Sequence, residues 1–158
     1  MGRVILVASV LLSNWCLAAS TEFERLKELA GQWTATTSSG KSFRVTYGLT
    51  SANTVLLETY GSGSGHETIS VFHADGPSLI VTHYCAQGNQ PRLRLNSSAT
   101  RHWVFTFADV TNLADPKASH LVRLELQLSP DGMHLTRTET YRENGRDEAT
   151  ALELHRSS

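Results

Sequence analysis

The sequence predicts an all-β protein: a single antiparallel up-and-down β-barrel of about ten strands with a short N-terminal helix. Three observations predict it. Beyond Gly31 the chain reads as short segments of alternating polar and apolar residues. Turn-forming clusters separate them: Ser38-Ser39-Gly40, Ser51-Ala52-Asn53, Gly61 to Gly65, Asp75-Gly76-Pro77, Pro130-Asp131-Gly132 and Asn144-Gly145. No helix-length crossover lies between them, which excludes a parallel sheet. A meander of this kind either closes or leaves edges, and closure removes the edges.

The chain divides into two parts. Residues 1–19 read as a signal peptide with cleavage near residues 18–20, and residues 20–158 as one barrel domain. Arg3 supplies a positive start, and Val4 to Leu12 is an apolar run broken only by Ser9. Small residues then close the segment at Ala18-Ala19-Ser20. The run is about nine residues, whereas spanning a bilayer takes about 20. The bulky Trp15 before Cys16 does not suit a lipidation motif. The expectation is an exported protein, periplasmic or extracellular, with no stable membrane anchor.

Arg3 is the one basic residue in that segment, so its removal takes 14 basic side chains to 13, against 15 acidic. A nearly neutral chain without basic runs does not suit nucleic acid or an anionic membrane. Cys85 becomes the one remaining thiol, which excludes an intramolecular disulfide. A buried, core-packed role is the plain reading of that cysteine.

The helix is expected over Thr21 to Ala30. Thr21 and Glu24 suit a capping box, Phe23, Leu26 and Ala30 share a face, and Gly31 ends it. Such a helix ahead of a barrel plugs one end. Strands are expected near Gln32–Thr37, Ser42–Leu49, Thr54–Tyr60, His66–His73, Leu79–Ala86, Arg92–Asn96, His102–Val110, His120–Leu128, Met133–Arg142 and Glu148–His155. The polar loop Thr111 to Ser119 and the Gly/Ser loop at 61–65 are candidate entrance loops.

The last two hairpins carry enough information to set a register. A three-residue loop Pro130-Asp131-Gly132 puts Ser129 opposite Met133, Glu125 opposite Arg137 and Arg123 opposite Glu139. The other face then holds Val122, Leu124, Leu126 and Leu128 with Thr140, Thr138, Thr136 and His134, and a type I′ turn at Asn144-Gly145 adds Ala149 and Ala151. That second face is taken as interior, which turns Leu152 and Leu154 outward. The alternative puts the Arg/Glu ladder inside, around a polar cavity, at the desolvation cost of buried ion pairs.

Gly31-Gln32-Trp33, directly after the helix, resembles the Gly-x-Trp start of lipocalins and related ligand-binding barrels, whose Trp closes the barrel floor. The family Arg that packs on that Trp has no assignable counterpart. A second segment is longer: His66-Glu67, His73-x-Asp75-Gly76, then Thr82-His83-Tyr84-Cys85-Ala86-Gln87-Gly88-Asn89-Gln90-Pro91-Arg92, with Thr111-Asn112-Leu113 later. It resembles bacterial barrels of unassigned function. Together these resemblances imply a lipocalin-like (calycin-type) β-barrel and no known reaction.

The candidate ligand-binding residues are Glu67, His83, Tyr84, Cys85, Asn89, Gln90 and Arg92. His83 and Cys85 lie two apart on one strand, and Asn89, Gln90 and Arg92 bring hydrogen-bonding groups to a strand junction. The competing reading has Tyr84 and Cys85 in the core and Asn89 and Gln90 tying down a turn. No catalytic residue is assigned. A Cys85/His83 nucleophile pair lacks an orienting third group unless Glu67 or Glu58 falls in register. Gly63 stands where a nucleophile elbow needs Ser, and Gly40-Lys41-Ser42 lacks the earlier glycine of a phosphate loop.

No metal and no cofactor is expected. His66, His73, His83 and Cys85 are the ligand types a metal needs, without a Cys-x-x-Cys or His-Glu-x-x-His spacing. Nitrobindin-like barrels bind haem through one late-strand His, and that resemblance points to His155 or His134. Ala35 and Thr37 replace glycines of that family's opening. The expected function is therefore binding of a small, partly apolar molecule. The alternatives are an enzyme centred on Glu67, His83 and Tyr84, the haem barrel, or an envelope interaction module.

Overall fold

The computed structural model describes residues 21–36, 42–61 and 66–157. The expected signal segment, the Ser38-Ser39-Gly40 turn and residues 62–65 lie outside them. Residues 21–26 are α-helical and run into a 3-10 turn, Lys27–Leu29. Ten strands follow: β1 Gly31–Thr36, β2 Ser42–Thr50, β3 Val55–Tyr60, β4 Thr68–Asp75, β5 Ser78–Tyr84, β6 Gln90–Ala99, β7 His102–Thr111, β8 His120–Leu128, β9 His134–Glu143 and β10 Arg146–Arg156. Each pairs antiparallel with its sequence neighbour, and β10 returns to β1, so the sheet closes into the expected up-and-down barrel.

Alternation sets the inside. Trp33, Val45, Leu56, Phe72, Val81, Leu93, Phe105, Leu124, Leu135 and Leu154 all point into the lumen and are fully buried. Each such side chain contributes about 1.5–3 kcal/mol relative to exposure. The helix covers one end with Phe23, Leu26 and Leu29, which join the same core.

Arg156 fastens this floor. It donates to the carbonyls of Ala30, Glu28 and Gly132, each at 2.8 Å, and its guanidinium lies 4.3 Å from the Trp33 ring centroid. Trp33 Nε1 in turn donates to the Leu29 carbonyl at 2.9 Å. Gly31 has φ +137°, and a Cβ there would sit 2.7 Å from the Arg156 guanidinium. Glycine is required by both conformation and space.

The β8–β9 register differs from the sequence expectation by one residue. Leu126 pairs with Arg137 and Leu124 with Glu139. The loop contains four residues, because Ser129 N–H donates to the His134 carbonyl and leaves Met133 inside the loop. Gly132 takes the expected left-handed φ of +72°. A slip of one residue exchanges the faces of β9. Arg137 and Glu139 therefore point into the barrel, while Arg123 and Glu125 stay outside and pair with each other at 2.7 Å.

The β9–β10 register is as expected, with Ala149 opposite Thr140 and Ala151 opposite Thr138 across Asn144-Gly145. That hairpin follows β9, so Ala149 and Ala151 are exposed and Leu154 is buried, the reverse of the expected assignment.

Candidate functional site

Strands β1, β3, β5, β7 and β9 all finish at the end opposite the helix. This is the mouth, and the candidate entrance loop Thr111 to Ser119 belongs to it. Just inside it, a row of polar side chains crosses four adjacent strands. Tyr47 of β2 is the cross-strand partner of Glu58, Glu58 of Ser70, and Ser70 of His83. Each points inward, and each is essentially inaccessible to solvent.

Arg137 reaches this row from the far wall. Its Nε and Nη2 donate to the two Glu58 carboxylate oxygens at 3.0 and 2.9 Å. Tyr47 O–H and Ser70 O–H donate to the same carboxylate at 2.6 and 2.9 Å. All four donors converge on one buried anion, so its desolvation is compensated. Burial alone pushes the Glu58 carboxyl up. The Arg137 guanidinium and these hydrogen bonds outweigh it and hold the group below its ordinary value. Arg137 also meets Glu139 at 3.0 Å. Despite burial, the two carboxylates raise its pKa and keep it protonated.

The hydrogen-bond directions fix the histidine tautomer. Ser70 spends its one proton on Glu58, so His83 Nδ1 must donate to Ser70 Oγ at 3.0 Å. Nε2 then accepts from the Tyr141 hydroxyl at 3.2 Å. Burial, foremost, lowers the His83 pKa and keeps the ring neutral. Burial and then the Glu139 charge raise the Tyr141 pKa, so its phenol keeps its proton. The Cys85 side chain lies against that phenol. The resulting chain runs Tyr141 to His83 to Ser70 to Glu58, with every proton directed at the carboxylate.

Tyr141 also forms a wall of an open cleft of about 400 Å³, shared with Ser119, Glu143, Asn144, Arg146 and Glu148. Phe43 and Tyr60 pack together beside the lumen at 5.2 Å, and the Arg137 guanidinium lies 5.1 Å from the Tyr60 ring centroid.

The candidate residues separate accordingly. His83 is in the lumen, and half-buried Cys85 is at its rim. Asn89 is buried, and its amide donates to the Ser119 carbonyl at 2.9 Å. Gln90 ties down the turn, donating to the Gly88 carbonyl and accepting from Thr111. Asn112 also donates to the Gly88 carbonyl, so the Thr111-Asn112-Leu113 segment meets the Gly88-to-Pro91 segment directly. Tyr84 is exposed, and Glu67 is exposed ahead of β4. Arg92 lies on the outer face in a bidentate pair with Asp109. The seven residues thus do not form one pocket.

Of the residues that complete the network, the sequence marks Glu58 and Arg137 only weakly, and Tyr47, Ser70 and Tyr141 carry no motif. Their signal was a polar residue at an inward position, such as Glu58 two after Leu56 or Ser70 two before Phe72. His134 and His155 stack at 4.9 Å on the outer surface, away from the lumen. Among the described residues, no three His, Cys, Asp or Glu side chains gather as a metal site would require.

Fold and site define a closed ten-stranded antiparallel barrel with an apolar floor and a polar mouth. In comparisons with known proteins, the chain matches no family profile, and no curated protein matches it.

Proposed function

We propose that this protein is an exported, lipocalin-like barrel that binds a small, partly apolar molecule at its mouth. One observation carries the reading. Tyr141, oriented by its hydrogen bond to the buried His83, lines an open cleft of about 400 Å³. Ligand sites are typically of about 300–1,000 Å³ with a few placed polar groups among apolar walls. The apolar floor beneath Arg137 is filled by side chains, so the ligand belongs at the mouth. Arg156 over Trp33 supplies the Trp-packing arginine that the resemblance to lipocalins requires.

Binding suits these groups better than turnover. Tyr141 keeps its proton, and His83 is fully buried with both ring nitrogens occupied, so neither is poised for proton transfer, while Tyr141 offers its side chain to the cleft. The enzyme alternative centred on Glu67, His83 and Tyr84 has only His83 inside the barrel.

Native mass spectrometry of protein purified from its source tests the proposal. The expected result is a bound small molecule that leaves on denaturation and is lost in Tyr141→Ala. A mass equal to the bare chain, with no spectral change at Tyr141 or His83 in a fragment screen, would overturn it. Export is read from the same sample: the mature mass should begin near residues 18–20.

A further inference from the structure

Taking the mouth as the binding site, we infer that its ligand is an organic cation, a protonated amine or quaternary ammonium carried on an apolar body. The charge balance of the lumen is the first reason. Glu58 and Glu139 share the single guanidinium of Arg137, which leaves this buried group with a net charge of one negative among the described residues. Glu58 is fully enclosed, whereas the Glu139 side chain is 20% exposed. The unbalanced charge is therefore presented by Glu139, the member that a ligand can reach. Its field is felt by Tyr60, His83 and Tyr141, which places it among the groups that line the mouth. His83 is held neutral and does not offset it.

The cleft beyond continues the same sign. Glu143 and Glu148 line it with Arg146 alone as a basic partner. Among the described residues, this group and the cleft together hold four carboxylates, Glu58, Glu139, Glu143 and Glu148, against two guanidiniums, Arg137 and Arg146. An anionic ligand would meet like charge there, which disfavours it.

The walls suit a cation. Tyr141 and Tyr60 lie close enough to feel the Glu139 charge, and aromatic faces attract ammonium groups. Tyr60 already holds the guanidinium of Arg137 in this way.

The second, independent observation is Asn89. The residue is 4% exposed, and its Oδ1 has no hydrogen-bond partner among the described residues. The amide orientation is set, because Nδ2 donates to the Ser119 carbonyl. A flip would put two oxygens together. Ser119 is itself a wall of the cleft. The unmet group is an acceptor, and it lies behind the Ser119 wall of the cleft.

The test uses three probes of one shape: 2-phenylethylamine, 2-phenylethanol and 3-phenylpropionate. Binding is followed at pH 7 by NMR shifts and calorimetry. The amine should bind at least about tenfold tighter than the alcohol, as expected for one charge-assisted contact. The acid should bind least. Glu139→Gln should remove that tenfold advantage and leave alcohol binding unchanged. Arg92→Gln, on the outer face, should alter neither. An alcohol or acid that binds at the mouth as tightly as the amine overturns the cation inference and spares the binding reading. Failure of all three probes to perturb the mouth overturns both.

Discussion

Arg137 and Glu58 face each other across the lumen through two parallel hydrogen bonds of 3.0 and 2.9 Å, with side chains 1% and 0% exposed. A pair this deep contributes to specificity of the wall-to-wall contact more than to net stability, since both charges are desolvated.

Breaking the pair should be costlier than removing it. Arg137→Met leaves the Glu58 carboxylate buried with its counter-ion gone, and should cost about 3–5 kcal/mol. Adding Glu58→Leu should recover part of that loss, while Tyr47 and Ser70 lose their acceptor. Urea unfolding of both single variants and the double checks the coupling. A double variant less stable than Arg137→Met would contradict it.

The network also fixes how stability depends on pH. His83 has its folded pKa below the ordinary 6.5. The unfolded chain therefore binds the proton first, and stability should decline as pH falls below about 6.5. Glu58 has its folded pKa below the ordinary 4.5. Its contribution is complete above about 4.5 and lost as pH falls further. Urea midpoints from pH 8 to 4 should show a decline in two stages, and His83→Gln should flatten the first.

At the floor, Gly31→Ala should destabilise by about 2 kcal/mol or more, because it combines a strained φ with a clash against Arg156. Arg156→Lys should also destabilise, by about 1–3 kcal/mol. An ammonium does not reproduce the planar fork that reaches three carbonyls and stacks on Trp33. Thermal unfolding and the near-ultraviolet signal of Trp33 check both.

One substitution should stabilise. Ser51, Ala52 and Asn53 in the β2–β3 turn have φ of 51°, 54° and 64°. Alanine in this region is strained by about 1–2 kcal/mol, and glycine is not. Ala52→Gly, exposed and remote from the mouth, should raise stability by about 0.5–1 kcal/mol after the entropy of the freer unfolded chain is counted. A lower urea midpoint would refute this.

Much of this barrel was legible before any coordinates. Strand number, antiparallel order, the helix ahead of Gly31 and the Asn144-Gly145 register all follow from local rules, because period-two alternation and turn chemistry act within a few residues. His83, Cys85 and Asn89 were also legible as candidates, through the polar spacing of residues 82–92. What the tertiary structure alone decided was which way β9 faces. One extra loop residue, Met133, turned Arg137 and Glu139 from an outer ladder into the lumen. It likewise decided that Tyr47, Glu58, Ser70 and His83 form one row, that Tyr141 meets His83, and that Arg156 lies on Trp33. The row follows from the registers of three consecutive hairpins, whereas Arg137, Tyr141 and Arg156 are far from their partners in the chain, and only barrel closure brings them into contact. Local sequence sets each strand's alternation, and a shift of one residue in pairing decides which half of it the lumen receives.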